Sequence, residues 1–373
     1  MPESPTLWSH LSVWLVLGGA FACALPLGHL LAAARYCTLG AVSDWWTLRD
    51  THRLRMWAAA AGTAMLGTEA LRLWAGLDPA RTLVPYASPH FAWIRYVAGG
   101  FVFGIGMHLA GGCASRQLLR LGGGSLKAGL ALLVAAFTAA WLIDAGAYRS
   151  WLAPLMNLGA IDLDGLGLAD QRLTSFARLA WPGETTATLV AGTLGGGLLF
   201  AAHGRADSRL TTVEWRAGLA LGIAVVAGWW LSGGSPGRAW QEDMAFLDAM
   251  PRGVGAQSYT FVAPLADLVA CVRGRAPSFG LCGAAGLVAG SLLWHWRHGR
   301  LRVERHRNVR DLLRTVLGGA LLAVGGVTAL GCTVGQGVTG LSTLALGSML
   351  ATLATIAGAA CAIRVEYALG SAA

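Results

Sequence analysis

The seven cysteines are the residues whose chemistry needs explaining first. They are Cys23, Cys37, Cys113, Cys271, Cys282, Cys332 and Cys361. Their number is odd, no CxxC pair occurs and no Cys/His spacing fits a zinc site, so the pattern favours neither a metal site nor a thioredoxin-like motif. A neutral thiol is a weak donor and a polarizable acceptor. Such a group can hold a sulfur-bearing anion loosely enough to release it, as passage along successive weak sites requires.

Two of the cysteines end matched segments of the chain. Residues 99–117 (GGFVFGIGMHLAGGCASRQ) and 318–336 (GGALLAVGGVTALGCTVGQ) share seven identities at an offset of 219, including the ending Gly-Cys-x-x-x-Gln. The stretches that follow, 114–124 and 333–340, are Gly-rich and too short to span a membrane. We expect re-entrant helical loops there, which a membrane tolerates where protein or water surrounds them. Helix N–H groups at the start of such a loop favour an anion.

The matched segments supply most of the candidate substrate-binding residues. Each segment contributes the glycine that allows the break, the cysteine and the glutamine. These are Gly112, Cys113 and Gln117 in the first segment, and Gly331, Cys332 and Gln336 in the second. Cys37 follows another break, at residues 34–40, and its role stays open from the residues alone, as does that of Cys282. Cys23, Cys271 and Cys361 fit the ordinary behaviour of free cysteine as a small buried hydrophobe.

The elements that must position these residues are membrane helices. Of 373 residues, 55% are hydrophobic and only 13% are charged, about half the charge of a soluble domain. Nine apolar segments are long enough to span a membrane. They cover residues 11–34, 56–77, 94–111, 125–145, 186–202, 213–232, 276–295, 311–330 and 342–363. The sequence therefore predicts an all-α integral membrane protein, with residues 1–373 as one polytopic membrane domain.

The charge pattern predicts the orientation of the spans. The net charge is +9, and its arginines cluster in the short loops after the first, third, fifth and seventh spans. The positive-inside rule places those loops in the cytoplasm, the N-terminus outside and the C-terminus inside. This distribution argues for a membrane surface and against a nucleic-acid partner. No phosphate-binding loop occurs, and no cofactor or catalytic residue is indicated.

The orientation turns the repeat into an inverted one. The third span runs inward and the eighth runs outward, so their matched ends face opposite sides, as in many transporters. We expect repeat halves at approximately 11–145 and 213–363, with outer loops at 146–185 and 233–275.

The chain resembles the YeeE/YedE sulfur-transport family of bacterial inner-membrane proteins. The similar pieces are Arg35-Tyr36-Cys37 to Asp44, Gly104–Met107 through Ala110–Cys113, Ser278–Gly280 and Ala329–Gly337. The resemblance implies an hourglass-like helical fold and uptake of thiosulfate or a related sulfur anion for sulfur assimilation. It implies a relay by Cys37, Cys113 and Cys332, and a separate TusA-like sulfur carrier on the cytoplasmic side. Arg116 and Gln117 depart from the smaller residues expected after Cys113.

Two other functions stay open at this point. A membrane thiol-disulfide oxidoreductase is compatible with the cysteine count, although paired cysteines are missing from the outer loops. A scaffold for a sulfur-carrier protein is the second. The leading hypothesis is an inner-membrane permease that is not an enzyme.

Overall fold

The computed structural model describes residues 11–77, 81–204, 209–245 and 253–370, and within these ranges most of the chain is helical. The helices are α1 (Leu11–Ala33), α2 (Thr38–Ser43), α3 (His52–Ala75), α4 (Trp93–Ala110), α5 (Ala114–Gly122), α6 (Leu126–Ile143), α7 (Ala153–Met156), α8 (Leu173–Ala180), α9 (Thr185–His203), α10 (Thr212–Gly233), α11 (Ser235–Ala245), α12 (Ala263–Val272), α13 (Phe279–Arg297), α14 (Val309–Thr328) and α15 (Leu346–Gly370). Short π-helical segments cover Asp44–Leu48, Tyr148–Leu152 and Gly335–Gly340, and Asp164–Leu166 forms a 3-10 turn. Two short strands, β1 (His90–Phe91) and β2 (Ile161–Asp162), pair antiparallel. The predicted all-α class is confirmed.

The long helices coincide with the predicted spans to within a few residues. Among the described residues, eight helical segments are long and apolar enough to cross a membrane. The remaining long helix, α3, has 24 residues but carries Arg53, Arg55, Glu69 and Arg72. Helix α3 packs against both α9 and α10. The protein is therefore a multi-pass membrane protein.

Helices α4 and α14, which carry the matched segments, pack antiparallel through glycines. A Cβ placed on Gly99 would lie 2.5 Å from the Ala329 nitrogen, and one on Gly318 would lie 2.4 Å from the Ala110 nitrogen. Gly318 and Ala329 follow Gly99 and Ala110 by the repeat offset of 219. The same contact is thus made twice with the roles of the helices exchanged, which is what an inverted repeat produces.

The neighbouring helices exchange partners in the same way. Helix α1 packs on α13 while α10 packs on α3, and α4 packs on α15 while α14 packs on α6. The short helices show the same exchange, because α2 contacts α15 in one half and α12 contacts α6 in the other. These contacts support the predicted halves 11–145 and 213–363, which stay a prediction together with the hourglass outline.

The predicted outer loops contain several short elements of secondary structure. Residues 146–185 include α7, α8 and strand β2. In the loop predicted at 233–275, α12 is not a surface segment: Pro264, Leu265 and Ala266 are buried in it. Helix α12 has ten residues and is too short to cross a membrane, and its contacts with α6 and α13 show that it packs inside the bundle.

Candidate functional site

Cys113 lies at the break between α4 and α5. Gly111 (φ +77°) and Gly112 (φ +150°) turn the chain in a region of backbone space that side chains rarely adopt. Cys113 is the N-cap residue of α5 and is fully buried, with its Sγ atom 3.2 Å from the Ser115 hydroxyl. The predicted break at Gly112 and the short helix after it are confirmed.

Cys332 lies at the corresponding break after α14. Its buried Sγ atom accepts a hydrogen bond from the Gly335 N–H at 3.4 Å. The chain breaks here as predicted, and the left-handed conformation at this break is adopted by Leu330, with φ +64°. Leu330 is the counterpart of Gly111, and a non-glycine residue there pays roughly 1–2 kcal/mol. The surrounding packing holds this conformation in place of glycine.

Cys37 caps the short helix α2. Its Sγ atom accepts from the Gly40 N–H at 3.3 Å, so Cys37 and Cys332 each bind the amide three residues on. Cys37 borders a cavity of about 880 Å³. The other lining residues are Leu39, Gly40, Ser43, Asp44, Arg53, His108, Ile363, Glu366 and Tyr367. Cys37 is therefore the most open of the three cysteines.

The three cysteines are brought together in the fold. Cys37 and Cys332 each lie within electrostatic range of Cys113. The hydroxyl of Tyr36, a side chain with 3% exposure, lies within range of all three thiols. We call Tyr36 and these three residues the thiol cluster. Tyr36 was quoted in the Arg-Tyr-Cys motif but was not predicted as a site residue.

The two glutamines bind the backbone next to the thiol cluster. The Gln117 amide donates to the Ala110 carbonyl at 2.6 Å and also reaches the Gly112 carbonyl. The Gln336 amide donates to the Ala329 carbonyl, and its oxygen accepts from the Ser348 hydroxyl at 2.6 Å. Each glutamine thus satisfies a carbonyl at the end of the preceding helix, and such carbonyls have no partner within the helix itself.

Aromatic residues support the Cys332 side. The buried Tyr86 hydroxyl donates to the Gly335 carbonyl at 2.9 Å and lies within electrostatic range of Cys332. Tyr86 also packs edge-on against Trp229, whose indole N–H donates to the Ser342 hydroxyl at 3.1 Å. Sequence reasoning missed both aromatic residues, since no repeat or motif marks them.

The comparisons with known proteins bear on this geometry. A family model described as "Sulphur transport" matches residues 33–361. The chain belongs to this family of transporters. It is similar to the thiosulfate transporter TsuA of Spirochaeta thermophila, with 29% identity over 285 residues that cover 70% of this chain and 74% of the relative. It is also similar to the thiosulfate transporter TsuA of Escherichia coli K12, with 30% identity over 118 residues, 32% of this chain and 31% of the relative.

Membership confirms the resemblance predicted from the cysteine and glycine motifs. The family is one of transporters, so this member is a multi-pass transporter and not an enzyme. All seven cysteines are free thiols, and Cys282 lies half-buried outside the thiol cluster. In the described ranges, no group of histidine, cysteine and acidic residues is placed to hold a metal ion.

Positive charge gathers at the Cys37 end of this sulphur-transport protein. A cavity of about 500 Å³ is lined by five arginines together with Ala32, Leu119, Trp294 and His295. The arginines are Arg35, Arg116, Arg120, Arg300 and Arg302. Arg116, which stands after Cys113 where the resemblance leads us to expect a smaller residue, also lies within electrostatic range of Cys37. Guanidinium groups in this density attract anions toward the surface next to Cys37.

Proposed function

We propose that the protein takes up thiosulfate across the bacterial inner membrane for sulfur assimilation, passing the ion along Cys332, Cys113 and Cys37. The observation that carries the proposal is the thiol cluster, in which Cys113 lies within electrostatic range of both other cysteines and Tyr36 within range of all three. The named activity of both relatives, thiosulfate transport, agrees with it.

Neutral thiols suit this substrate for a physical reason. A buried thiolate is costly in a membrane and repels an incoming anion, whereas S–H donates weakly to the terminal sulfur or an oxygen of thiosulfate. Weak contact at several successive points lets the ion move on. In this proposal the glycines and glutamines of the predicted site, Gly112, Gly331, Gln117 and Gln336, position the thiols by shaping the breaks.

The arginine distribution supports the direction of transport. The arginine-lined cavity lies at the Cys37 end, and positive loops face the cytoplasm in membrane proteins. We therefore propose an outer N-terminus, a cytoplasmic C-terminus and exit past Cys37. In this proposal, Cys113 and Cys332 lie at the opposed breaks of the two halves 11–145 and 213–363. A separate TusA-like carrier that receives the sulfur would meet the same basic surface.

The test is uptake of radiolabelled thiosulfate by proteoliposomes that contain only this chain. We expect uptake by the parent and its loss in Cys113→Ala and Cys332→Ala. Cys361→Ala is the matched control, because Cys361 is exposed on α15, whereas Cys113 and Cys332 are buried. Parental transport in correctly inserted Cys113→Ala and Cys332→Ala would refute the relay. Absence of thiosulfate flux in the parent would favour the scaffold hypothesis. A trapped mixed disulfide between this protein and a partner thiol would favour the oxidoreductase hypothesis.

A further inference from the structure

Two buried threonine hydroxyls next to Cys332 have no hydrogen-bond partner among the described residues. Thr260 is 8% exposed and Thr333 is 7% exposed, and the Oγ1 atoms of both are inaccessible and unpartnered. A hydroxyl in this position is unfavourable, because it has lost water without gaining a partner. Such groups are rare in native proteins, and each calls for an explanation such as strain, a functional role or a bound water or ion.

Both threonines belong to segments that meet at Cys332. Thr333 follows Cys332 directly. Thr260 Oγ1 would lie 2.5 Å from a Cβ built on Gly335, the residue whose N–H binds the Cys332 Sγ atom. Hydrogen-bond donors from two separate segments of the chain therefore meet around one buried thiol.

A neighbouring threonine shows the ordinary arrangement. Thr339 is 1% exposed, and its hydroxyl donates to the Tyr259 carbonyl at 2.7 Å. Tyr259 is adjacent to Thr260, so this part of the bundle can satisfy one hydroxyl with backbone. It does not do so for Thr260 or Thr333.

We propose that the Thr260 and Thr333 hydroxyls form a subsite for the sulfonate oxygens of thiosulfate, while the terminal sulfur of the ion contacts the Cys332 thiol. The inference rests on the proposed function and deepens it. Hydroxyl groups donate to negatively charged oxygens through charge-assisted hydrogen bonds. They carry no formal charge, so the subsite binds the anion without trapping it, as a site in a conduction path must. The arrangement also orients the ion, with its oxygens on the threonine side.

The experiment compares near-isosteric variants in proteoliposomes and by thermal unfolding in detergent. In Thr260→Val and Thr333→Val we expect the KM for thiosulfate to rise about tenfold or more, since loss of a hydrogen bond to a charged group has this size. Their Tm should equal or exceed that of the parent, because an unpartnered buried hydroxyl is removed. Thr260→Ser keeps the hydroxyl and should restore a KM near the parental value.

Thr339→Val is the matched control, because the Thr339 hydroxyl already has a structural partner. We expect this variant to have a lower Tm than the parent and the parental KM for thiosulfate. A parental KM in Thr260→Val and Thr333→Val, with an active parent, overturns the subsite and leaves the permease intact. A lower Tm in both valine variants also overturns it, since the hydroxyls would then be structural. An inactive parent overturns the proposed function itself.

Discussion

Gln117 and Gln336 make the same contact at the ends of two different helices. Each side-chain amide donates to the carbonyl of an alanine seven residues earlier, Ala110 for Gln117 and Ala329 for Gln336. The glutamine lies one turn into the helix that follows the cysteine. It therefore fastens that helix to the end of the preceding one and fixes the cysteine between them. The Gly-Cys-x-x-x-Gln pattern therefore marks a local structure in which the glutamine holds the cysteine thiol at a break between two helices.

Gln336→Ala should destabilise the protein more than Gln117→Ala does. The variant leaves the Ala329 carbonyl and the Ser348 hydroxyl without their hydrogen-bond partner. Each unsatisfied buried group lowers the free energy of unfolding by about 1–3 kcal/mol. The oxygen of Gln117 has a weaker partner, Arg120 at 3.3 Å, that is partly exposed. Thermal unfolding in detergent measures the order. Equal Tm values for Gln336→Ala and the parent would show that the contact is dispensable.

Gly112→Ala and Gly331→Ala should differ sharply, although the sequence pattern treats the two positions alike. A Cβ on Gly112 would lie 2.7 Å from Arg116 Cγ, in a backbone conformation at φ +150°. A Cβ on Gly331 meets nothing closer than Gln336 Cγ at 3.2 Å. We expect poor folding and little transport for Gly112→Ala, and near-parental folding with only a partial loss of transport for Gly331→Ala. The yield of monodisperse protein and thiosulfate uptake measure both, and a reversed order would contradict this reading of the breaks.

The repeat pattern predicted the cysteines and glutamines because identical residues at one offset occupy equivalent places in an inverted pair. It could not predict which residue takes the left-handed turn at the second break. Leu330 stands where the first break has Gly111, and its conformation is set by tertiary packing that local sequence does not encode.

Hydropathy predicted the long helices but not the partners of the thiols. Tyr86 and Trp229 reach Cys332 and Ser342 from distant parts of the chain, so no local spacing marks them. Helix α12 lies within residues 233–275, which the sequence predicts as an outer loop. Its place inside the bundle becomes evident only from its contact with α6, the counterpart of the contact between α2 and α15.

Gly318→Ala should disturb the central helix pair, whereas Gly197→Ala should be tolerated. A Cβ on Gly318 would lie 2.4 Å from the Ala110 backbone nitrogen, and backbone cannot move aside as a flexible side chain can. Nothing lies within 4 Å of the Cβ position on Gly197 in α9. Alanine also favours a helix over glycine by up to about 1 kcal/mol. Gly197→Ala should therefore keep or raise the Tm and Gly318→Ala lower it, and the opposite order would refute the close α4–α14 contact.

Glu304→Gln should lower stability near neutral pH and lose its effect in acid. Glu304 lies in the loop before α14, and its backbone carbonyl accepts from the Leu126 N–H at 3.0 Å. Partial burial raises the pKa of Glu304, but hydrogen bonds from Ser125 and Arg120 and nearby positive charge outweigh it, and the pKa lies below its ordinary value. A depressed folded-state pKa means that the carboxylate stabilises the fold above the unfolded pKa, about 4.3.

That contribution is lost as the pH falls through the lowered pKa of the folded state. The difference in Tm between the parent and Glu304→Gln should thus be largest near pH 7 and shrink below about pH 4. The Glu304 side chain is 44% exposed, so solvent screens the ion pair with Arg120 and the difference should be small and decrease in high salt. Thermal unfolding across pH and salt measures both trends. A Tm difference that grows on acidification would mean that Glu304 is held in its protonated form.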